Sequence, residues 1–100
     1  MAARSLIFIL LVACSGPQPK VEHATASPSP VPGATRVAMD IVNSGGEGTV
    51  AIHVELRDAR RIIRAERTLA VQGKQTIHFE TDVETPPGEY RVAASAQYPD

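Results

Sequence analysis

Residues 49–57, TVAIHVELR, alternate without a fault. Val50, Ile52, Val54 and Leu56 share one phase, and Thr49, Ala51, His53, Glu55 and Arg57 share the other. Successive side chains of a strand point to opposite faces of a sheet, so this run predicts a strand with one face buried and one wet. The same period governs residues 36–42 (RVAMDIV), with Val37, Met39 and Ile41 in phase, and residues 75–81 (QTIHFET), with Ile77 and Phe79. It returns in residues 90–98 (YRVAASAQY), where Tyr90, Val92, Ala94, Ala96 and Tyr98 share a face. Turn-forming residues divide the strands: Asn43-Ser44-Gly45-Gly46, Asp58-Ala59, Gly73-Lys74 and Pro86-Pro87-Gly88. Residues 60–71 (RRIIRAERTLAV) contain good helix formers, but Ile62, Ile63 and Thr68 are β-branched and no capping residue opens the run. A strand bent near Thr68 is expected there. The chain is therefore expected to be all-β, a small sandwich of about five strands. Its expected core is Ile41, Val50, Ile52, Val54, Leu56, Ile77, Phe79, Tyr90 and Val92.

The N-terminal third obeys different rules. Arg4 precedes an unbroken apolar run of seven residues, 6–12 (LIFILLV). A membrane-spanning helix needs about 20 apolar residues, whereas a short apolar core behind a positive charge and before small residues marks an export signal. Directly after it stands the chain's single cysteine, in Leu11-Val12-Ala13-Cys14. One cysteine excludes a disulfide within the chain, and no amphipathic element surrounds it to make a buried core thiol. Residues 11–14 resemble the lipobox of bacterial lipoproteins. That resemblance implies diacylglycerol on the Cys14 thiol, cleavage between Ala13 and Cys14, and firm membrane attachment by several acyl chains. It also implies a place in the cell envelope. Ser15 after the anchor, instead of the Asp that the family associates with inner-membrane retention, points to the outer membrane where a cell has two. A competing reading is ordinary cleavage after Ala13-Cys14-Ser15, which would release a soluble protein. Residues 15–34 (SGPQPKVEHATASPSPVPGA) hold five prolines and little apolar bulk. Proline fixes φ and lacks an amide donor, so an extended tether is expected. The expected organisation is a signal over 1–13, lipidated cysteine and tether over 14–34, and a sandwich over 35–100.

The sandwich portion resembles the small immunoglobulin-like or fibronectin-type domains of bacterial surface proteins, among them the cell-adhesion-related domain found in bacteria. The resemblance rests on Ile41-Val42-Asn43-Ser44-Gly45 after the first strand and on a long alternating second strand ending in Leu56-Arg57-Asp58. Gly73 before Thr76-Ile77-His78-Phe79 and Pro87-Gly88-Glu89-Tyr90-Arg91-Val92 complete it. Such folds have seven strands against the five counted here: the place of the usual first strand falls in the proline-rich tether, which as an alternative folds back to supply it, and a final strand is missing after Tyr98.

Signals of chemistry are sparse. Gly46-Glu47-Gly48-Thr49-Val50-Ala51 fits G-x-G-x-x-A, with Glu66 at a suggestive distance. Dinucleotide binding requires a helix after those glycines, and a strand pattern follows, so a hairpin turn is expected. His23, His53 and His78 are not spaced with carboxylates or a thiol as zinc ligands are. His53 and His78 are expected on the outer faces of opposite sheets. Arg57, Arg60, Arg61, Arg64 and Arg67 form a local basic run, a candidate surface for anionic lipid near the anchor or else a solvated edge. The whole chain is nearly neutral, with 10 Lys+Arg against 11 Asp+Glu, and has only four aromatic side chains, which argues against nucleic acid as a partner. No catalytic set is legible. The expectation is a non-enzymatic structural or interaction module with no cofactor beyond the covalent lipid; the alternative is a chaperone-like or ligand-carrying accessory lipoprotein of an assembly system. If the chain ends at Asp100, residues 90–98 present an uncovered strand edge through Tyr90, Val92, Ala94, Ala96 and Tyr98. That edge is open to an envelope protein or a second copy.

Overall fold

A computed structural model describes residues 16–99. They form six strands: β1 (Pro19–Pro28), β2 (Ala34–Asn43), β3 (Gly48–Arg57), β4 (Ile62–Val71), β5 (Gln75–Glu84) and β6 (Arg91–Gln97). Two antiparallel sheets result, ordered β1-β2-β5 and β4-β3-β6. Only β1–β2 and β3–β4 are hairpins; the chain changes sheet after β2, after β4 and after β5. This is the connectivity of strands A, B and E facing C′, C and F in an immunoglobulin-type sandwich. At the mouth of β6 the Tyr90 hydroxyl donates to the Pro86 carbonyl at 2.6 Å. Immunoglobulin-type domains tie the same corner with a tyrosine.

The core follows from the middle strand of each sheet. Val37, Met39 and Ile41 of β2 meet Val50, Ile52, Val54 and Leu56 of β3, all essentially inaccessible to water. Ile77, Phe79, Tyr90 and Val92 pack against this cluster but stay half-buried, because they lie on or beside flanking strands. Val37, Met39, Val71 and Val83 belong to the buried set beyond the expected core, and Ala51, in the outward phase of the middle strand β3, is buried as well. Both ends of the inward phase of β2 are polar. Thr35 is buried in a 2.7 Å hydroxyl pair with Thr85, and Asn43 is 2% exposed. The Asn43 side-chain oxygen accepts from the Gln18 amide at 2.9 Å and the Gly45 amide at 3.1 Å. Its side-chain nitrogen donates to the carbonyls of Gly46 at 2.9 Å and Gln72 at 2.7 Å.

Three expectations need correction. The supposed tether is a strand over Pro19–Pro28, paired with β2. Its prolines stand at the two ends of an edge strand, where a missing donor costs least. A bulge sets two β1 residues, His23 and Ala24, against the single Met39, and His23 takes φ 56° to make it. The inward side chains thus run Val21, then Ala24 and Ala26, out of strict alternation. Second, β4 pairs with β3 in unbroken register from Ile62 opposite Arg57 to Val71 opposite Gly48, so Thr68 marks no bend. Third, the Gly46–Gly48 region is a crossing between sheets, not a hairpin, and β3 follows it directly.

The burial pattern sets a mutational contrast. Ile52→Ala is expected to cost about 2–5 kcal/mol, whereas Thr49→Ala on the outer face should stay within about 0.5 kcal/mol. Equal shifts in denaturant midpoint for the two would mean the register is wrong.

Candidate functional site

The outer face of the β1-β2-β5 sheet carries the densest polar arrangement among the described residues. Cross-strand register places Asp40 opposite His78 and Arg36 opposite Asp82. One Asp40 oxygen lies 3.0 Å from His78 Nδ1 and the other 3.1 Å from His23 Nδ1. His78 Nε2 reaches Glu80 at 2.9 Å. Both ring nitrogens of His78 thus face carboxylates, an arrangement complete only when both carry protons. Hydrogen bonding to Asp40, then to Glu80, raises the His78 pKa above its ordinary 6.5. The bonds from His78 and His23 lower that of Asp40 below its ordinary 3.8. The ladder continues through Arg36, whose guanidinium holds Asp82 at 3.1 and 3.2 Å and lies 3.7 Å from Glu80. Ser29 also donates to Asp82, at 2.9 Å. No group of three or more His, Cys, Asp or Glu side chains among the described residues is arranged to hold a metal ion.

His53 stands on β3 in the other sheet, away from His78. It lies beside Glu66, 3.9 Å away, in an open hollow shared with Glu55, Arg64, Ala93 and Ser95.

The five arginines of the basic run do not form one surface. Arg67 belongs to the inward phase of β4, donating from Nε to the Thr81 hydroxyl at 3.0 Å and from Nη2 to the Asp82 carbonyl at 3.1 Å. It stitches β4 to β5 across the sheets, a structural task that its place in an arginine-rich run concealed. Arg57 and Arg64 share Glu55, at 2.7 and 3.2 Å. Asp58 caps the β3–β4 turn by accepting from the amides of Arg60 at 2.8 Å and Arg61 at 2.9 Å. Arg91 opposes Arg57 across β6 and β3. With Arg60 and Arg61 these two give one end of the sandwich its positive character, around a hollow bordered by Asp58, Ala59 and Glu89.

β6, where an interaction edge is expected, ends its sheet. β6 pairs with β3 on one side, and no strand among the described residues is hydrogen-bonded to the other. β1 passes close along that open side without joining the ladder. Val92, Ala94 and Ala96 point inward and are half-buried. Tyr90 and Tyr98 flank the strand, and Tyr98 is 47% exposed. Cys14 and residues 1–13, expected to be an export signal, lie outside the described residues. The sequence and structure match no family model, no curated protein and no solved structure.

The His78 geometry carries a sign for pH. A raised histidine pKa adds stability that is fully present below 6.5 and lost as pH rises through the raised value. The lowered Asp40 pKa adds stability present above 3.8 and lost as pH falls through the lowered value. The pair therefore contributes most between those ordinary values. In an NMR titration the His78 ring should show a midpoint above 6.5, and Asp40→Asn should bring it down. An unchanged midpoint in Asp40→Asn would refute the contact.

Proposed function

We propose that this chain is a lipid-anchored protein of the bacterial cell envelope, in the outer membrane where there are two, acting as a non-enzymatic structural or interaction module. The observation that carries the reading is Leu11-Val12-Ala13-Cys14 directly behind the apolar run 6–12 and Arg4. A small sandwich beginning two residues after that cysteine supports it. Acylation of Cys14 would supply the membrane attachment. Detergent phase partitioning tests this: wild type should enter the detergent phase and Cys14→Ala the aqueous phase. Recovery of both from the aqueous phase would end the lipoprotein reading.

The interaction surface in this proposal is the outer edge of β6. The immunoglobulin-type arrangement places a further strand beside this one, and an edge ladder accepts an incoming strand by backbone hydrogen bonding. The occupant we favour is a strand of a second protein chain, which would enter between β6 and β1, the strand that passes along this side without hydrogen-bonding to it. Arg91 and Gln97 are the exposed polar side chains at its two ends. Hydrogen exchange on residues 15–100 should show amides within 92–97 gaining protection as concentration rises, if the second chain is another copy, or on adding envelope extract, if it is another protein. Constant protection in both series would remove β6 as a docking edge.

A further inference from the structure

We infer that the sandwich is seated directly on the membrane, with the end formed by Gly16, the β2–β3 and β4–β5 turns and Tyr98 against the lipid headgroups. The inference rests on the Cys14 anchor proposed above and adds an orientation that the anchor alone does not give.

The chain enters the fold almost at once. The Gly16 carbonyl accepts from the Gly46 amide at 3.0 Å, and the Gln18 carbonyl accepts from the Ser44 amide at 3.2 Å. Pro17 is buried. A Cβ added to Gly16 would run into the Tyr98 ring, and one added to Gly48 would run into Pro17. Gly16 is therefore part of the folded body. Only Ser15 separates it from Cys14. Two residues of extended chain reach about 7 Å at most, so a lipidated Cys14 would hold this end at the headgroup layer.

The residues gathered there suit that layer. Tyr98 is 47% exposed at this end, and tyrosine favours the membrane–water boundary, where its ring meets apolar groups and its hydroxyl meets water. Lys74 sits at the tip of the β4–β5 turn, its amide donating to the Gly45 carbonyl at 3.1 Å and its backbone at φ 54°. Its exposed ammonium is placed for headgroup phosphates. Glu47, also exposed, is the opposing charge at this end.

Arg57, Arg60, Arg61 and Arg91 lie at the far end of β3 and β6. Ten strand residues span about 33 Å, several times the roughly 8 Å over which charges act in physiological salt. The arginine-bearing end therefore faces away from the anchoring membrane. Of the two readings of the basic run, lipid contact near the anchor or a solvated edge, this orientation favours the solvated edge.

In the mature lipoprotein the Cys14 thiol is blocked, so an introduced cysteine is the only free one. Full-length protein carrying Glu47→Cys or Ala59→Cys would be labelled with a fluorophore and reconstituted in phosphatidylethanolamine–phosphatidylglycerol vesicles holding headgroup spin-labelled lipid. Strong quenching is expected for the Glu47→Cys label and little for the Ala59→Cys label. Ten Gly-Ser residues inserted after Ser15 should abolish the difference while leaving vesicle binding unchanged. Vesicle binding with equal quenching at both positions, or a difference that survives the insertion, would overturn the seated orientation while leaving the anchor standing. Loss of vesicle binding in the uninserted protein would overturn both.

Discussion

A single buried amide holds together the end of the sandwich where the chain enters. Asn43 terminates the inward phase of β2 at a place where three backbone segments converge. These are the approach to β1 at Gln18, the β2–β3 turn at Gly45 and Gly46, and the end of β4 at Gln72. A carboxamide offers two donors and an oxygen with two lone pairs, and all four are used. Such a group strengthens a structure only when fully satisfied, since a buried polar atom without a partner costs about 1–3 kcal/mol. An aspartate at this position would turn two donors into acceptors facing carbonyls. An aliphatic residue would leave several backbone groups unpaired. Apolar packing cannot replace Asn43, because the segments it joins present backbone amides and carbonyls.

The sides of the sandwich are closed by different means. Between β4 and β5, Arg67 reaches from one sheet to the Thr81 hydroxyl and Asp82 carbonyl of the other. Between β1 and β6 the closure is apolar, with Val21, Ala24 and Ala26 of one strand and Val92, Ala94 and Ala96 of the other packed against the core. Small side chains allow the close approach of two edge strands there, but they bury little area, so the β1–β6 side gains less from burial than the centre. The two middle strands, whose inward residues are fully buried, hold the domain. Consequently the edges can vary in what they meet without loss of the core.

Legibility tracked periodicity. β2, β3, β5 and β6 keep an even alternation, and their inward faces could be assigned from the sequence. β1 could not be read because the His23 bulge shifts the phase between Val21 and Ala24 and prolines bracket the run. Arg67 was misplaced because an arginine in a strand reads as solvated, and only the sheet-to-sheet geometry shows its inward reach. The His23–Asp40–His78 arrangement joins residues 17 and 38 positions apart through strand register and a bulge, and no spacing rule reports that. The lipobox-like residues lie outside the described residues, and their reading rests on the short segment Leu11-Val12-Ala13-Cys14 alone.

Turning the supposed tether into β1 changes what the anchor would do. A proline-rich spacer would let a domain tumble freely above its membrane, and partners could approach from any side. Here the segment after Ser15 is committed to Pro17 burial and to a ten-residue strand, so attachment at Cys14 would also fix tilt. The outer edge of β6 runs from Arg91 at the arginine-bearing end to Gln97 beside Tyr98. A strand pairing with it would have to lie roughly along the membrane normal, with one end near the headgroups. The most readily reached partner segment is then one that is itself anchored close by, because two chains confined to one surface already share the height and much of the orientation that pairing requires. A freely diffusing partner would have to supply both.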